Sequence, residues 1–455
     1  MVVIVRLACG FFNEQGGLLR RFCWIDVMEW YAGGTYSADR ACGWTHPTQD
    51  FTLTDHAQNG GHSNSLAALS ALLEQYATGT GRITPRPRGA RLSDEIRATL
   101  EDVVAALENT SGELGSPGEL LVFGNGCYAI GRHADASEAY LSILADEPSN
   151  ANARFNLGLA YLRLKSPQDA VREFTDLLAQ QPLLAEAFYQ RGNGNDDLGQ
   201  TDRAIADYER AIELEPEYVH AMFNRGILLA QTGRHEEAVA QFDKVNAIRP
   251  DISNNHLNRG ASLDELGRYD EAVSAYTKAT ELNPENSLAL FNRARTNYYL
   301  GNLESALTDY SAVIQLTPED AEAFNNRGLI YDALKDYESA VADFDSALEL
   351  RPLFAEAHSN RGAVLEVMGD LDGALVEYNH SLESDPELAS AHYNAARLYS
   401  RTGDVAACLK HLERVLEIAP QLAEDAANDE HLGWALEMKN LRRDMESEDD
   451  SQEEN

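Results

Sequence analysis

Lysine is nearly missing from this sequence: of its 37 basic residues only six are lysine. Positive charge as a whole is short, 37 basic against 74 acidic residues, for a net charge of −37. That balance disfavours nucleic-acid phosphates and anionic membrane surfaces as partners and favours basic ones. Cysteine is scarce too. The five residues, Cys9, Cys23, Cys42, Cys127 and Cys408, form an odd count with no Cys-x-x-Cys pair. A disulfide framework is therefore not expected, which fits a reducing, cytoplasmic setting. No apolar run reaches the ~18 residues that span a bilayer, so no membrane partner is expected. The phosphate-binding glycine loop, the Gly-x-Ser-x-Gly elbow and the His-Glu-x-x-His pair are all missing, and with them any catalytic residue, metal or cofactor that such motifs would name.

What the sequence has in abundance is repetition. Asn224-Arg225-Gly226 returns as Asn258-Arg259-Gly260, Asn326-Arg327-Gly328 and Asn360-Arg361-Gly362, with Asn292-Arg293-Ala294 in the slot between, always at a step of 34 residues. A fixed period of this length marks a stack of identical supersecondary units. The small-residue column runs Gly124, Gly158, Gly192, Gly226, Gly260, Ala294, Gly328, Gly362, Ala396. An alanine column from Ala136 to Ala374 follows, and then an aromatic one from Tyr140 to Tyr378; Cys408 and Leu412 end the two. Each unit closes on a proline, from Pro148 to Pro420, and nine of the fourteen prolines stand in that column.

Within each unit the apolar residues follow helical spacing twice, predicting two amphipathic helices. Gly199, Gly233, Gly267, Gly301, Gly369 and Gly403 sit between them, where a helix terminus favours glycine. Small residues let two helix backbones approach, aromatic rings fill the space beside them, and proline ends the second helix. Taken together, the columns resemble the tetratricopeptide repeat over nine units, roughly two-thirds of the chain. The resemblance implies an all-α fold: a solenoid, a right-handed superhelix of antiparallel helix pairs that serves protein–protein interaction. The first unit departs from the pattern, with Val122 and Phe123 in place of Asn and Arg, and the last is loose at Ala395, Cys408 and Leu412.

The expected organisation is an N-terminal segment over 1–115, partly helical and of unknown role; nine repeats over 117–420; a capping helix over 421–443; and an acidic disordered tail over 444–455. In the N-terminal segment, Val2–Phe12 reads as a strand or buried start, and Leu7-Ala8-Cys9 has the form of a lipoprotein cleavage site behind too short an apolar stretch for a signal peptide. Ser65–Tyr76 and Leu92–Leu107 have helical spacing, the second capped by Ser93. Thr78–Arg91 reads as a linker. Asp55-His56 followed by His62, with Cys42 and His46 nearby, looks slightly like the opening of metal-dependent HD phosphohydrolases. The His56–His62 spacing is not a helical pair, and no second His-Asp pair follows before the repeats. Each repeat buries its face mainly on its neighbours, so the 117–443 array is expected to fold without the segment before it.

Two polar columns in the first helices are the candidate site. Asn156, Gln190, Asn224, Asn258, Asn292, Asn326, Asn360 and Asn394 form a carboxamide ladder. The O-linked N-acetylglucosamine transferases have a similar ladder that grips the backbone of an extended polypeptide; the resemblance implies peptide binding here, without transferase activity, since only about 35 residues follow Pro420. A carboxamide donates and accepts at once, which suits both groups of a peptide unit; inter-helix hydrogen bonding is the competing use. Phe155, Tyr189, Phe223, Phe291 and Tyr393 are expected to add apolar contact, and Asp196, Asp197, Asp264, Glu265, Asp332 and Glu366 to favour basic side chains. The arginine column, Arg191 to Arg361, is expected to pair with Asp207, Asp309, Asp343 and Glu377 sixteen residues on. His256, His358 and His392 share a column and are expected to pack rather than bind metal, because layers ~10 Å apart cannot share zinc bonds of ~2 Å. The leading reading is a non-enzymatic scaffold holding an extended, basic polypeptide segment in a concave groove. The alternatives are an enzyme or metal-dependent sensor in 1–115 with the repeats as its targeting arm, and a homo-oligomeric platform; oligomeric state is left open.

Overall fold

The computed structural model describes residues 11–12, 18–19, 62–76, 81–83, 94–109 and 115–438. The repeat is visible in the helix starts. First helices begin at Pro117, Ala151, Ala185, Val219, Ser253, Ser287, Ala321, Ala355 and Ala389, each 34 residues after the last, and second helices begin at His133, Pro167, Thr201, His235, Tyr269, Leu303, Tyr337, Leu371 and Val405. The fold is all-α, paired helices in tandem with helices His62–Tyr76 and Asp94–Asn109 before them and Ala423–Asn428 after them; the strands among the described residues are one two-residue antiparallel pairing, Phe11–Phe12 with Leu18–Leu19. No helix among the described residues is long and apolar enough to cross a membrane.

Local chemistry sets the helix ends. Ser116 caps Pro117–Ala129: its hydroxyl accepts the Glu119 N–H, and the Glu119 carboxylate returns the bond to the Ser116 N–H, satisfying two donors that a helix start leaves open. The turn between the helices of each repeat has one residue at positive φ, and its column is Gly131, Lys165, Gly199, Gly233, Gly267, Gly301, Lys335, Gly369 and Gly403. The period thus extends to two lysines that do not look like turn residues. Further on, the histidine column turns toward the proline that closes the preceding unit. The Nε2 of His256, His358 and His392 lies 3.0 to 3.1 Å from the carbonyls of Pro250, Pro352 and Pro386. Arg154 donates to Pro148 from the same position. Each side chain satisfies a carbonyl that the end of a helix leaves without an intrahelical partner.

The small-residue column is a packing requirement. A Cβ at Gly158, Gly192, Gly226 or Gly328 would fall 2.7 Å from the ring of Phe174, Tyr208, Phe242 or Phe344 respectively. The rings fill that space and are themselves fully buried.

The chain divides into two compact units after Ser262, inside the first helix of the fifth repeat. In the unit 24–262, the helices His62–Tyr76 and Asp94–Asn109 bring Leu69, Leu72, Leu73, Leu100, Val103 and Val104 into one core with Leu121 and Cys127 of the first repeat and Phe155 and Phe174 of the second. This is a physical obstacle to the expectation that the repeats fold without the segment before them. The apolar face of the first repeat is covered by those helices, and each leucine so buried contributes ~1.5–3 kcal/mol. In the unit that contains 263–438, Leu422, Ala426, Leu432 and Ala435 cover Tyr393, Leu412 and Val415 of the last repeat. Arg397 and Asp429 form an almost fully buried ion pair at 3.1 Å beside them. Cys127 and Cys408 are buried thiols; burial pushes Cys127 up to about 12 and Cys408 up to about 11, well away from thiolate chemistry. Cys9, Cys23, Cys42, Ser93 and the 444–455 tail lie outside the described residues.

Candidate functional site

The ladder residues stand at the sixth position of the first helices, four in each unit: Asn156, Gln190, Asn224 and Asn258, then Asn292, Asn326, Asn360 and Asn394. Neighbouring first helices are in contact, Ala151–Arg163 with Ala185–Asp197 and Ala321–Ala333 with Ala355–Met368 among them. Within each unit the carboxamides therefore stand on packed helices. Six are buried, while Asn326 and Asn360 are half-buried.

Asn156 shows what the position can do. Its Oδ1 accepts the Ile83 N–H at 2.8 Å, and its Nδ2 donates to the Gly81 carbonyl at 3.0 Å. One carboxamide thus holds a carbonyl and the amide two residues further along the same segment, with no part of the side chains involved. Asn125, three residues past the ladder position in the first repeat, donates a second bond to Gly81 at 2.9 Å, and its Oδ1 accepts from Asn156 and from the Tyr140 hydroxyl.

The other rungs divide by partner. Asn224 donates to Asn193 at 3.1 Å, and Gln190 accepts from Asn193. Asn326 accepts from Asn325, and Asn360 donates to Asn325 at 2.9 Å. The bonds of Asn224 and Asn360 cross to a neighbouring first helix, and those of Gln190 and Asn326 stay within their own helix. Among the described residues neither polar atom of Asn258 has a hydrogen-bond partner, nor does the Nδ2 of Asn292; both side chains are about 1 % exposed. A buried amide without a partner costs ~1–3 kcal/mol. The structure therefore brings Asn156 to a peptide backbone, ties Asn224 and Asn360 to neighbouring helices and Gln190 and Asn326 to residues of their own helices, and leaves polar atoms of Asn258 and Asn292 unsatisfied.

The arginine column is structural. Arg191, Arg293 and Arg327 make paired N–H···O bonds of 2.6 to 2.9 Å to Asp207, Asp309 and Asp343, and Arg361 reaches Glu377 at 2.6 Å. Where the acid is missing sixteen residues on, as at Gln241 and Ala275, the guanidinium turns back sixteen residues instead: Arg225 to Glu209 and Arg259 to Asp243. Arg191, Arg293 and Arg327 also donate backward to Thr175, Thr277 and Ser311, and Arg361 to Asp345. Each arginine thus ties the second helix of the preceding repeat to its own repeat.

Several expected peptide contacts are used up internally. Phe223 and Tyr393 are buried, and Phe223 meets the Phe242 ring edge-on at a centroid distance of 6.1 Å; Phe155, also buried, meets Phe174 edge-on at 5.6 Å and keeps a face under Arg82. Spacing could not separate an inward from an outward ring, because both follow one helical period. Asp264 is buried and accepts from Tyr276 and Thr296, with Arg295 at 3.8 Å. Glu366 accepts from Tyr378 and pairs with Arg401. Asp197 and Glu265 stay exposed. Glu186, which the columns did not single out, faces Arg82 at 3.5 Å. Asn125 and Asn193 were also missed, because Leu159, Ile227 and Ala261 stand at that position in the next repeats and no column forms.

His358, Glu377 and His380 bring three potential ligand atoms within 4.8 Å of one another. All the same, the His358 Nδ1 lies 2.7 Å from Glu377 and its Nε2 faces Pro352, while Arg361 holds the same carboxylate. Burial alone would raise the Glu377 carboxyl; the bonds from His358 and Arg361 outweigh it and hold it below its usual value. A resident guanidinium is a poor neighbour for a cation, and this cluster reads as packing. Cys42, His46, Asp55 and His56 lie outside the described residues, and His62 is described only as the first residue of its helix.

Tetratricopeptide repeat family models match residues 122–185, 189–251 and 257–321, then 321–353, then 389–422, more than half of the chain. No curated protein sequence matches. Among solved structures, YrrB, a TPR protein with an unusual peptide-binding site, is 25% identical with a TM-score of 0.38, over 40% of this chain and 95% of its own. MamA of Desulfovibrio magneticus RS-1 is 22% identical with a TM-score of 0.36, over 37% of this chain and 96% of its own. The APC/C hetero-tetramer Cut9–Hcn1 is 15% identical with a TM-score of 0.43, over 83% of each. By its helix pairs, its 34-residue register and the family-model matches, the chain belongs to the tetratricopeptide repeat family, whose arrays are protein-interaction scaffolds.

Proposed function

We propose that the chain is a non-enzymatic scaffold that holds an extended polypeptide segment against its first helices, with the carboxamide ladder reading the peptide backbone. The observation that carries this reading is the two-sided grip of Asn156 on Gly81 and Ile83. The same residue type recurs at the same helical position in later repeats, and at Asn258 and Asn292 polar atoms are left without an internal partner. An extended peptide advances ~3.3 Å per residue, so layers ~10 Å apart meet it about every third residue. Each amide contact is worth ~0.5–1.5 kcal/mol net, and ordering a peptide residue costs ~1–2 kcal/mol. Side-chain contacts must therefore supply the affinity, and the ladder supplies register and tolerance of sequence. The net charge of −37 steers basic segments toward the chain.

The test is selection of binders from random twelve-residue peptides, then titration of a selected peptide against the wild type and a variant with Asn258, Asn292, Asn326 and Asn360 all changed to Ala. The reading expects basic peptides and at least tenfold weaker binding to the variant. Unchanged affinity would sink it.

A further inference from the structure

The first rung of the ladder already has an occupant. Gly81, Arg82 and Ile83 belong to neither a helix nor a strand, and they lie on the first helices of the first three repeats, all within the unit 24–262. Side chains hold all three. The Gly81 carbonyl accepts from Asn125 and Asn156. A Cβ added at Gly81 would meet only Asn152, at 3.7 Å, so the position admits a small side chain. The Arg82 guanidinium lies over the Phe155 ring, 5.4 Å from its centroid, and its Nε is 3.5 Å from Glu186. The Ile83 amide donates to Asn156, and its side chain is fully buried in the apolar cluster that contains Phe155.

We infer that Gly81–Arg82–Ile83 is a built-in ligand of the peptide site on the first three repeats. A partner segment for this site carries a small residue, an arginine and an aliphatic residue in succession, and it competes with the chain's own copy. The inference rests on the backbone-reading role proposed above and adds the side chains that the site selects. Backbone polar groups held by side-chain carboxamides, rather than by a helix or a sheet, are how a guest peptide is held. The selective contacts are equally those of a guest: a cation over an aromatic face with an acid beyond it, and an aliphatic side chain in an apolar recess. A tethered copy acts at an effective concentration on the order of mM, so it keeps out segments of lower affinity and yields to stronger ones.

The experiment uses the full chain and a fluorescent peptide copying residues 78–86, Thr-Gly-Thr-Gly-Arg-Ile-Thr-Pro-Arg. It is titrated into the wild type, Arg82→Glu, Ile83→Asp, and each variant combined with Asn156→Ala. The expected result is binding at least tenfold tighter to both released variants than to the wild type, with the gain removed by Asn156→Ala. If Ile83→Asp lowers melting, Arg82→Glu still carries the test, because the Arg82 side chain is 37% exposed. Equal binding to the wild type and Arg82→Glu, or a gain that survives Asn156→Ala, overturns the inference. In the same preparations, a peptide selected through Asn258, Asn292, Asn326 and Asn360 reports on the general reading. If its capture still depends on those residues while the 78–86 probe fails, the built-in ligand alone is refuted; if that dependence is missing, the backbone-reading role itself is refuted.

Discussion

The guanidinium of Arg327 lies side-on to the carboxylate of Asp343, with two N–H···O bonds of 2.7 Å and both side chains largely buried. Breaking one partner of such a pair strands the other charge, at a cost of ~3–5 kcal/mol. Asp343→Ala is expected to show this loss in urea unfolding. Glu209→Ala, whose side chain is 55% exposed while it holds Arg225, is expected to cost under ~1 kcal/mol. Equal losses would contradict the division of the column into buried and rim pairs.

Lys335 has φ of 64° in a column otherwise filled by glycine, apart from Lys165. A side chain in the left-handed region costs ~1–2 kcal/mol, partly offset by the larger entropy that glycine loses on folding. Lys335→Gly is expected to raise stability by ~0.5–1 kcal/mol, and a lowered melting temperature would show that the lysine side chain supplies a contact that outweighs the strain.

His392 and His411 face each other through their Nδ1 atoms at 2.9 Å, an arrangement in which one ring donates and the other must keep its Nδ1 unprotonated, so the two rings cannot both be charged. Burial first, then His392 and Lys410, push His411 down to about 4. His392 is lowered as well, mainly by burial, with Arg414 and Lys410 acting in the same direction and the Pro386 carbonyl and Glu387 against it. The unfolded imidazoles titrate near ~6.5. Between these values the unfolded chain binds more protons, so stability is intact above pH ~6.5 and is lost as pH falls toward 4. The last repeat is expected to lose on the order of 2 kcal/mol over that window, read by hydrogen exchange of the Ala389–Thr402 amides. His411→Leu should flatten the profile; an unchanged slope would place the titrating group elsewhere.

The helices His62–Tyr76 and Asp94–Asn109 share a core with the first two repeats. Deleting 1–110 is therefore expected to loosen Pro117–Ala129 and His133–Asp146 while the repeats beyond 263 keep their exchange protection, since solenoid stability is close to a sum of local terms. Uniform protection across all repeats would mean that the N-terminal helices cover nothing of consequence.

Most of the fold is legible in the sequence because every repeat meets the same physical demand. Gly226 must be small under Phe242, and its counterparts under their own rings, so the demand prints as a column. The arginine pairing is legible for the same reason. What the sequence hides is whatever happens once. Asn125 and Glu186 meet Gly81 and Arg82 through a segment outside the period, and nothing in Gly81-Arg82-Ile83 as a string marks it as a ligand. The ladder is legible as a column, but its division into satisfied and unsatisfied rungs depends on neighbours such as Asn193 and Asn325 that do not recur from one repeat to the next.

The central claim is that carboxamides in the first helices read a peptide backbone. The most direct measurement is calorimetric titration of one selected peptide and its singly backbone N-methylated copies into the wild type and the variant lacking the amides of Asn258, Asn292, Asn326 and Asn360. N-methylation removes the amide hydrogen that a ladder oxygen accepts and leaves every side chain in place. At one or more positions about three residues apart, it should weaken binding to the wild type at least tenfold and have no further effect on the variant, whose melting temperature should fall only slightly. Methylation that costs the same in both proteins, or a variant that keeps its affinity while its melting temperature collapses, would contradict the account.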